Sequence, residues 1–95
     1  MDEIRYRAAE GFMLREIAEE YLLVPIGRNA LRMNGLVTTT ETGAFLYQLL
    51  SKPLTEGELV RALAAEYEMQ EEDLTEDVRD FLEDSVEKGT IVKEC

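Results

Sequence analysis

Carboxylates are the only side chains here plentiful enough to suggest chemistry. The chain carries 21 Asp and Glu against 10 Lys and Arg over 95 residues. Pairs such as Asp77 with Asp80 and Asp84 have the residue types of a general acid and a general base. At this density such pairs arise by chance, and their helical spacing turns them towards water, so no catalytic residue is expected. The sequence has no histidine. That removes the commonest general base near neutral pH and the commonest metal ligand, and it rules out a Ser-His-Asp or Cys-His arrangement. The one cysteine, Cys95, is the last residue. It has no intramolecular disulfide partner and cannot form a CxxC zinc site. Gly43 and Gly57 are isolated, so no glycine-rich phosphate loop is present. Glu71-Glu72-Asp73 lacks the alternating spacing and central glycine of a calcium loop. No cofactor and no metal are expected, and function must reside in a binding surface.

That surface needs a scaffold, and the apolar content of 45% supports one modest core. A single domain over residues 1–95 is expected. The longest apolar run, Tyr21 to Ile26, is far shorter than the roughly 20 residues of a membrane-spanning helix. The N-terminus lacks a basic stretch followed by an apolar one, so no signal peptide is expected and a cytoplasmic protein is the simplest reading. The net charge of −11 is uneven. Residues 1–53 hold seven acids and six bases, whereas residues 54–95 hold fourteen acids and four bases. Phosphate backbones demand basic surface, so nucleic acid is not an expected partner.

The hydrophobic period changes along the chain. Met13 to Ala18 alternates weakly, Glu19-Glu20 reads as a turn, and Tyr21 to Ile26 reads as a second strand. Pro25 cannot donate a ladder hydrogen bond and argues for a bulge or an edge-facing position. Asn34-Gly35 is a tight-turn signal, followed by a third strand over Leu36 to Thr39. Phe45, Leu46, Leu49 and Leu50 then mark one face of a helix. The threonine run before it offers N-caps, and Thr38 to Glu41 fits a capping box. Thr55 to Glu58 is a second capping box, opening a helix with the stripe Leu59, Val60, Leu63 and Tyr67. A third helix runs from about Glu72 to Lys88 with the stripe Leu74, Val78, Phe81 and Leu82, and stops at Gly89. Thr90-Ile91-Val92 could add a short strand. The fold class is α+β: a three-stranded antiparallel sheet followed by three helices, in a winged helix-turn-helix-like outline.

Three segments in this order carry a family resemblance. Thr42 to Leu50, TGAFLYQLL, resembles the "TGA-x-x-W-x-x-L" helix of PqqD-like proteins. Thr55 to Tyr67, TEGELVRALAAEY, resembles that family's second helix. Asp77 to Leu82 followed by Gly89-Thr90-Ile91 resembles its third helix and exit. The resemblance spans about residues 12–92. It implies a precursor-peptide recognition element, which binds the leader of a ribosomally made peptide and presents it to a modifying enzyme, often a radical S-adenosylmethionine enzyme. Two positions depart from the pattern. Thr39-Thr40 replaces a Leu-Asn pair, and Ser85 takes an apolar position on the face of Val78 and Leu82. The Ser85 hydroxyl could bond back one turn or leave a small pocket.

Binding would then use the third strand. Its unpaired backbone groups at a sheet edge form a template for an extended peptide. Leu36, Val37, Thr38 and Thr39 are the strand candidates, and only one of Leu36 and Val37 can face the core. Leu74, Asp77, Val78, Phe81 and Ser85 on the third helix are candidates for the facing wall. The same edge could pair with a second copy of the chain.

Other readings stay open. A DNA-binding winged helix would use the third helix, but residues 72–88 hold eight acids and two bases. Asp84-Ser85-Val86 resembles the phosphopantetheine site of carrier proteins, but it sits late in a helix rather than opening one. A regulatory or subunit-contact domain of the same fold is the remaining alternative.

Overall fold

The computed structural model describes residues 3–28, 30 and 37–94. Strands β1 (Arg5–Ala8), β2 (Phe12–Ile17), β3 (Glu20–Pro25) and β4 (Val37–Thr39) precede helix α1 (Glu41–Leu49). Strand β5 (Leu54–Thr55), helices α2 (Glu56–Tyr67) and α3 (Glu71–Lys88), and strand β6 (Ile91–Glu94) follow. The expected antiparallel sheet is present, with the order β2-β3-β4. Leu36 and the Asn34-Gly35 turn lie outside the described residues.

A second sheet, β5-β1-β6, was not expected from the sequence. Strand β1 pairs with β6 over Arg5↔Glu94 to Ala8↔Ile91, and with β5 at Arg5↔Thr55 and Tyr6↔Leu54. Arg5-Tyr6-Arg7-Ala8 alternates polar with apolar residues, and Tyr6 and Ala8 pack against the core, but so short an alternation is a weak signal and pairing with distant segments completes the strand. Ala8 N–H donates to Leu50 O at 2.8 Å and Ala9 N–H to Thr90 O at 2.9 Å. These bonds tie the N-terminal segment to the end of α1 and to the exit of α3.

The hairpin β2-β3 turns at Ala18-Glu19, one residue earlier than the Glu19-Glu20 expected. Ile17 pairs with Glu20, leaving a two-residue loop with φ of 51° and 68°. Two positive φ values match the right-handed twist of the flanking strands, although neither residue favours that region. Pro25 pairs with Phe12 at the end of β3, beyond the Tyr21–Leu23 stretch that β4 covers. Its missing N–H therefore costs no described ladder bond on the β4 side.

Local chemistry sets the helix ends. Thr40, not Thr38, caps α1: its hydroxyl accepts from Gly43 N–H at 3.0 Å. The expected Thr38–Glu41 capping box does not form, because Thr38 is inside β4. The Thr55–Glu58 box does form, with Thr55 N–H donating to Glu58 Oε1 at 2.8 Å and Glu58 N–H to Thr55 Oγ1 at 3.2 Å. Helix α3 ends in a Schellman arrangement around Gly89, whose φ is 86°. Thr90 N–H donates to Ser85 O at 3.0 Å and Gly89 N–H to Val86 O at 3.1 Å. The core joins Leu23, Leu46, Leu50, Leu59, Leu63, Leu74, Val78, Leu82 and Ile91. Burial of each of the larger side chains contributes about 1.5–3 kcal/mol.

Two outcomes follow from these contacts. Replacing Ala18-Glu19 by Asn-Gly should raise the unfolding free energy by about 1 kcal/mol in urea titrations, since that pair accepts both φ values freely. The Thr55 backbone hydrogen bond holds the Glu58 carboxyl below the usual glutamate range, helped by the Thr55 hydroxyl and by Arg5 and Arg61 and opposed by desolvation. A lowered folded-state pKa gives stability that is present above the unfolded value and lost as pH falls through the folded one. Glu58→Gln should therefore flatten the acid limb of stability below about pH 4, measured as Tm against pH.

Candidate functional site

Register decides which way each strand residue points. Antiparallel partners share a sheet face. Leu14, Leu23 and Val37 therefore lie on one face together with Glu16, Tyr21 and Thr39. Arg15, Leu22 and Thr38 lie on the other. Leu22 and Leu23 are both buried, but Leu23 joins the core cluster formed with the helices and Leu22 does not, so the first face is the inner one. Val37 is the inward residue of the pair that the sequence left open, and Thr38 is exposed on the outer face. Among the described residues strand β4 is at the edge of its sheet.

Beside β4 a cleft of about 40 Å³ is lined by Val37, Thr38 and Thr39, by Leu23, by Gly43 and Tyr47 of α1, by Phe81, Asp84, Ser85 and Lys88 of α3, and by Thr90. The α3 wall is thus the stripe 81, 84, 85 and 88, one helical face. Of the wall residues expected from sequence, Phe81 and Ser85 line this cleft. Leu74 and Val78 do not: they are 5% and 0% exposed and belong to the core stripe that continues to Leu82. Asp77 is exposed and lies outside the lining. Their displacement has a simple cause. The apolar stripe of α3 is consumed by packing, and the cleft uses the face rotated next to it, where polar residues carry no hydrophobic signal. Asp84 and Lys88 were missed for that reason; they form an i,i+4 ion pair at 3.0 Å. As an exposed pair it contributes little stability.

Gly43 lets three elements meet at the cleft. A Cβ there would collide with Thr39 Oγ1 and would stand 3.2 Å from Phe81 Cε1 and 3.3 Å from Thr40 Oγ1. The spacing of Thr-Gly-Ala at the start of a helix was the available signal for it. Tyr47, one turn along α1, is 9% exposed, and desolvation raises its pKa above the usual tyrosine value. Tyr47 also lines a wider groove of about 630 Å³, floored by Phe12, Leu14 and Leu50 and edged by Arg7, Glu10 and Glu16.

Ser85 is 7% exposed. A serine so enclosed, three residues before the end of α3, is poorly placed to accept a phosphopantetheine arm, which argues against the carrier-protein reading. Among the described residues no group of three or more potential metal-ligating side chains is placed to hold an ion. No described helix is long and apolar enough to cross a membrane.

Gly43→Ala should lower stability by about 1–3 kcal/mol, although alanine is the better helix former, because overpacking outweighs propensity. Adding Thr39→Ala should recover part of that loss in the same urea titrations, since it removes the first colliding atom.

Comparison with known proteins places this geometry in context. None of the curated proteins compared matches the sequence. A solved structure of TbiB1 in complex with the TbiA(beta) leader peptide is similar over 90% of this chain and 93% of that one, at 21% identity and a TM-score of 0.68. At that identity the likeness is one of fold. The family model for Coenzyme PQQ synthesis protein D (PqqD) matches residues 19–91, from the β2-β3 hairpin through the start of β6. The chain therefore belongs to the PqqD family.

Proposed function

We propose that this chain is a non-catalytic recognition domain that binds the leader segment of a ribosomally made precursor peptide and presents it to a modifying enzyme. The observation that carries the proposal is edge strand β4 standing beside the α3 wall with a cleft between them. An extended peptide pairs with the free edge of β4 and directs alternate side chains onto the inner face, between β4 and α3. Main-chain hydrogen bonds supply affinity, and the cleft supplies selection. The small volume suits this mode, because only one or two side chains enter it while the peptide backbone lies along the strand.

Membership of the PqqD family supports the reading, as does the similar fold of TbiB1, which is described with a leader peptide. The modifying enzyme fits the radical S-adenosylmethionine class often found with such domains, and the setting fits the cytoplasm. Catalysis is assigned to the partner, since no histidine is present and the only cysteine is terminal. The proposed contact residues are Val37, Thr38, Thr39, Phe81, Asp84, Ser85 and Lys88, and Leu36 is retained from the sequence. Asp77 is retained at the outer margin of the α3 wall, whereas Leu74 and Val78 support that wall from the core.

Titration of the labelled protein with the leader peptide of a precursor encoded beside its gene tests this. The largest backbone amide shifts are expected at residues 37–39 and at 81, 84, 85 and 88. Shifts confined to the opposite edge strand β2, or to the α2 surface, would overturn the model.

A further inference from the structure

Strand β2 closes the other side of its sheet, and among the described residues no strand pairs with its outer edge. Its hairpin to β3 turns through a two-residue loop, so the flanking pair Ile17 and Glu20 is a hydrogen-bonded one. Gly11 O accepts from Ile26 N–H at 2.9 Å, in step with that alternation. Every second residue from Gly11 to Ile17 therefore bonds to β3, and Phe12, Leu14 and Glu16 turn their backbone groups to the free edge. The same three residues send their side chains to the inner face, where they line the groove of about 630 Å³. A backbone template and a recess for side chains thus coincide on one strand. The groove shares only Tyr47 with the β4–α3 cleft.

The chemistry along this edge is graded. Phe12, Leu14 and Leu50 make an apolar floor, and Glu16 stands at the hairpin end beside its cross-strand partner Tyr21. Arg7 at the rim is paired with Glu94 at 3.1 Å, and no described Lys or Arg forms an ion pair with Glu16. Desolvation raises the Tyr21 pKa, and Glu16 and Glu41 raise it further, as expected of a phenol in a negative field. On the outer face Met13 is 43% exposed and offers a second apolar contact. An inward-pointing charge near a sheet edge discourages most strands from pairing there. A second copy of β2 suits it poorly. Of the two antiparallel registers of fullest overlap, one sets Glu16 opposite Phe12 and the other sets Arg15 opposite Arg15. A strand that brings a cation to Glu16 is the complement.

We propose that the β2 edge docks an extended segment of a partner protein carrying, on its inward face, an aliphatic side chain opposite Leu14 and a lysine or arginine opposite Glu16. The aliphatic group covers the floor of the groove, and the cation meets the Glu16 carboxylate beside the Tyr21 ring. Main-chain bonds to Leu14 and Glu16 hold the segment in register. The surface lies on the opposite edge of the sheet from β4, so the inference does not rest on what occupies the β4–α3 cleft.

The probe is the blocked heptapeptide Thr-Lys-Val-Leu-Val-Lys-Thr, whose symmetry presents a lysine to Glu16 whichever way the strand runs. A comparison peptide has glutamate in place of both lysines. Binding is followed by amide shifts at residues 12–16. The lysine peptide is expected to bind about tenfold more tightly at low salt, with the gap narrowing as ionic strength rises. Glu16 is exposed, so Glu16→Lys should fold, which thermal unfolding checks, and it should abolish or reverse the preference. Glu87→Lys makes the same change of net charge on α3 and should leave most of the preference in place. Equal or tighter binding of the glutamate peptide, no binding of either, or equal losses in the two variants would overturn the proposal. So would shifts from the lysine peptide confined to α2, α3 or residues 37–39. None of these results bears on leader binding at β4, which the leader titration reads separately.

Discussion

Burial of one stripe of α3 is the constraint on which the remaining architecture depends. Leu74, Val78, Leu82 and Ser85 face inward, and Val78 and Leu82 are 0% and 1% exposed. A helix with this many acids has one apolar stripe to offer, so packing against α2 and β6 fixes its rotation. Once that rotation is fixed, Phe81, Asp84 and Lys88 must face β4. The wall of the cleft is a by-product of core packing. Its residues can vary in polarity with little effect on the core, as expected of a surface that must be tuned to a partner.

Gly43 supplies the second half of the geometry. The start of α1, the end of β4 and the ring of Phe81 converge there at distances that leave no room for a Cβ. The Thr40 cap fixes where α1 begins, and the glycine then permits β4 to lie close against α3. Beneath this arrangement the β5-β1-β6 sheet acts as a clamp. It joins the N-terminal strand to the segment just after α3, and Ala8 and Ala9 bond to the exits of α1 and α3. The ends of α1 and α3 are therefore each held by a backbone hydrogen bond to the same N-terminal segment.

The charge distribution has a separate role. The exposed acids of α2 and α3 are met by few cations: Arg5 and Arg79 reach Glu58 and Glu56, and Lys88 reaches Asp84. These exposed pairs are screened by salt and contribute little to folding. Their larger effect is a negative field around the helical half, which repels polyanions and favours association with a basic surface. At the cleft Lys88 is paired with Asp84, so that rim carries no net charge from the pair while the helix surface around it is acidic.

The sequence by itself determined the helices and the edge strand. Capping chemistry at Thr55, the Gly89 stop and the 3.6-residue stripes are local signals, and local signals survive without tertiary knowledge. The same holds for the absence of histidine chemistry. The Thr-Gly-Ala motif also pointed to the family before any geometry was known. Tertiary structure alone decided the rest. Strand β1 carries only a short polar–apolar alternation, and which segments it pairs with, residues 54–55 and 91–94, is set by the fold. The hairpin turn moved one residue because register, set across two strands, overrode the preference of the turn residues. On α3, Leu74 and Val78 pack in the core and do not line the cleft, because hydrophobicity marks what is buried and cannot separate a core stripe from a cleft wall. Ser85 was visible as a departure from pattern, but only the fold brought it together with Tyr47, 38 residues earlier in the chain.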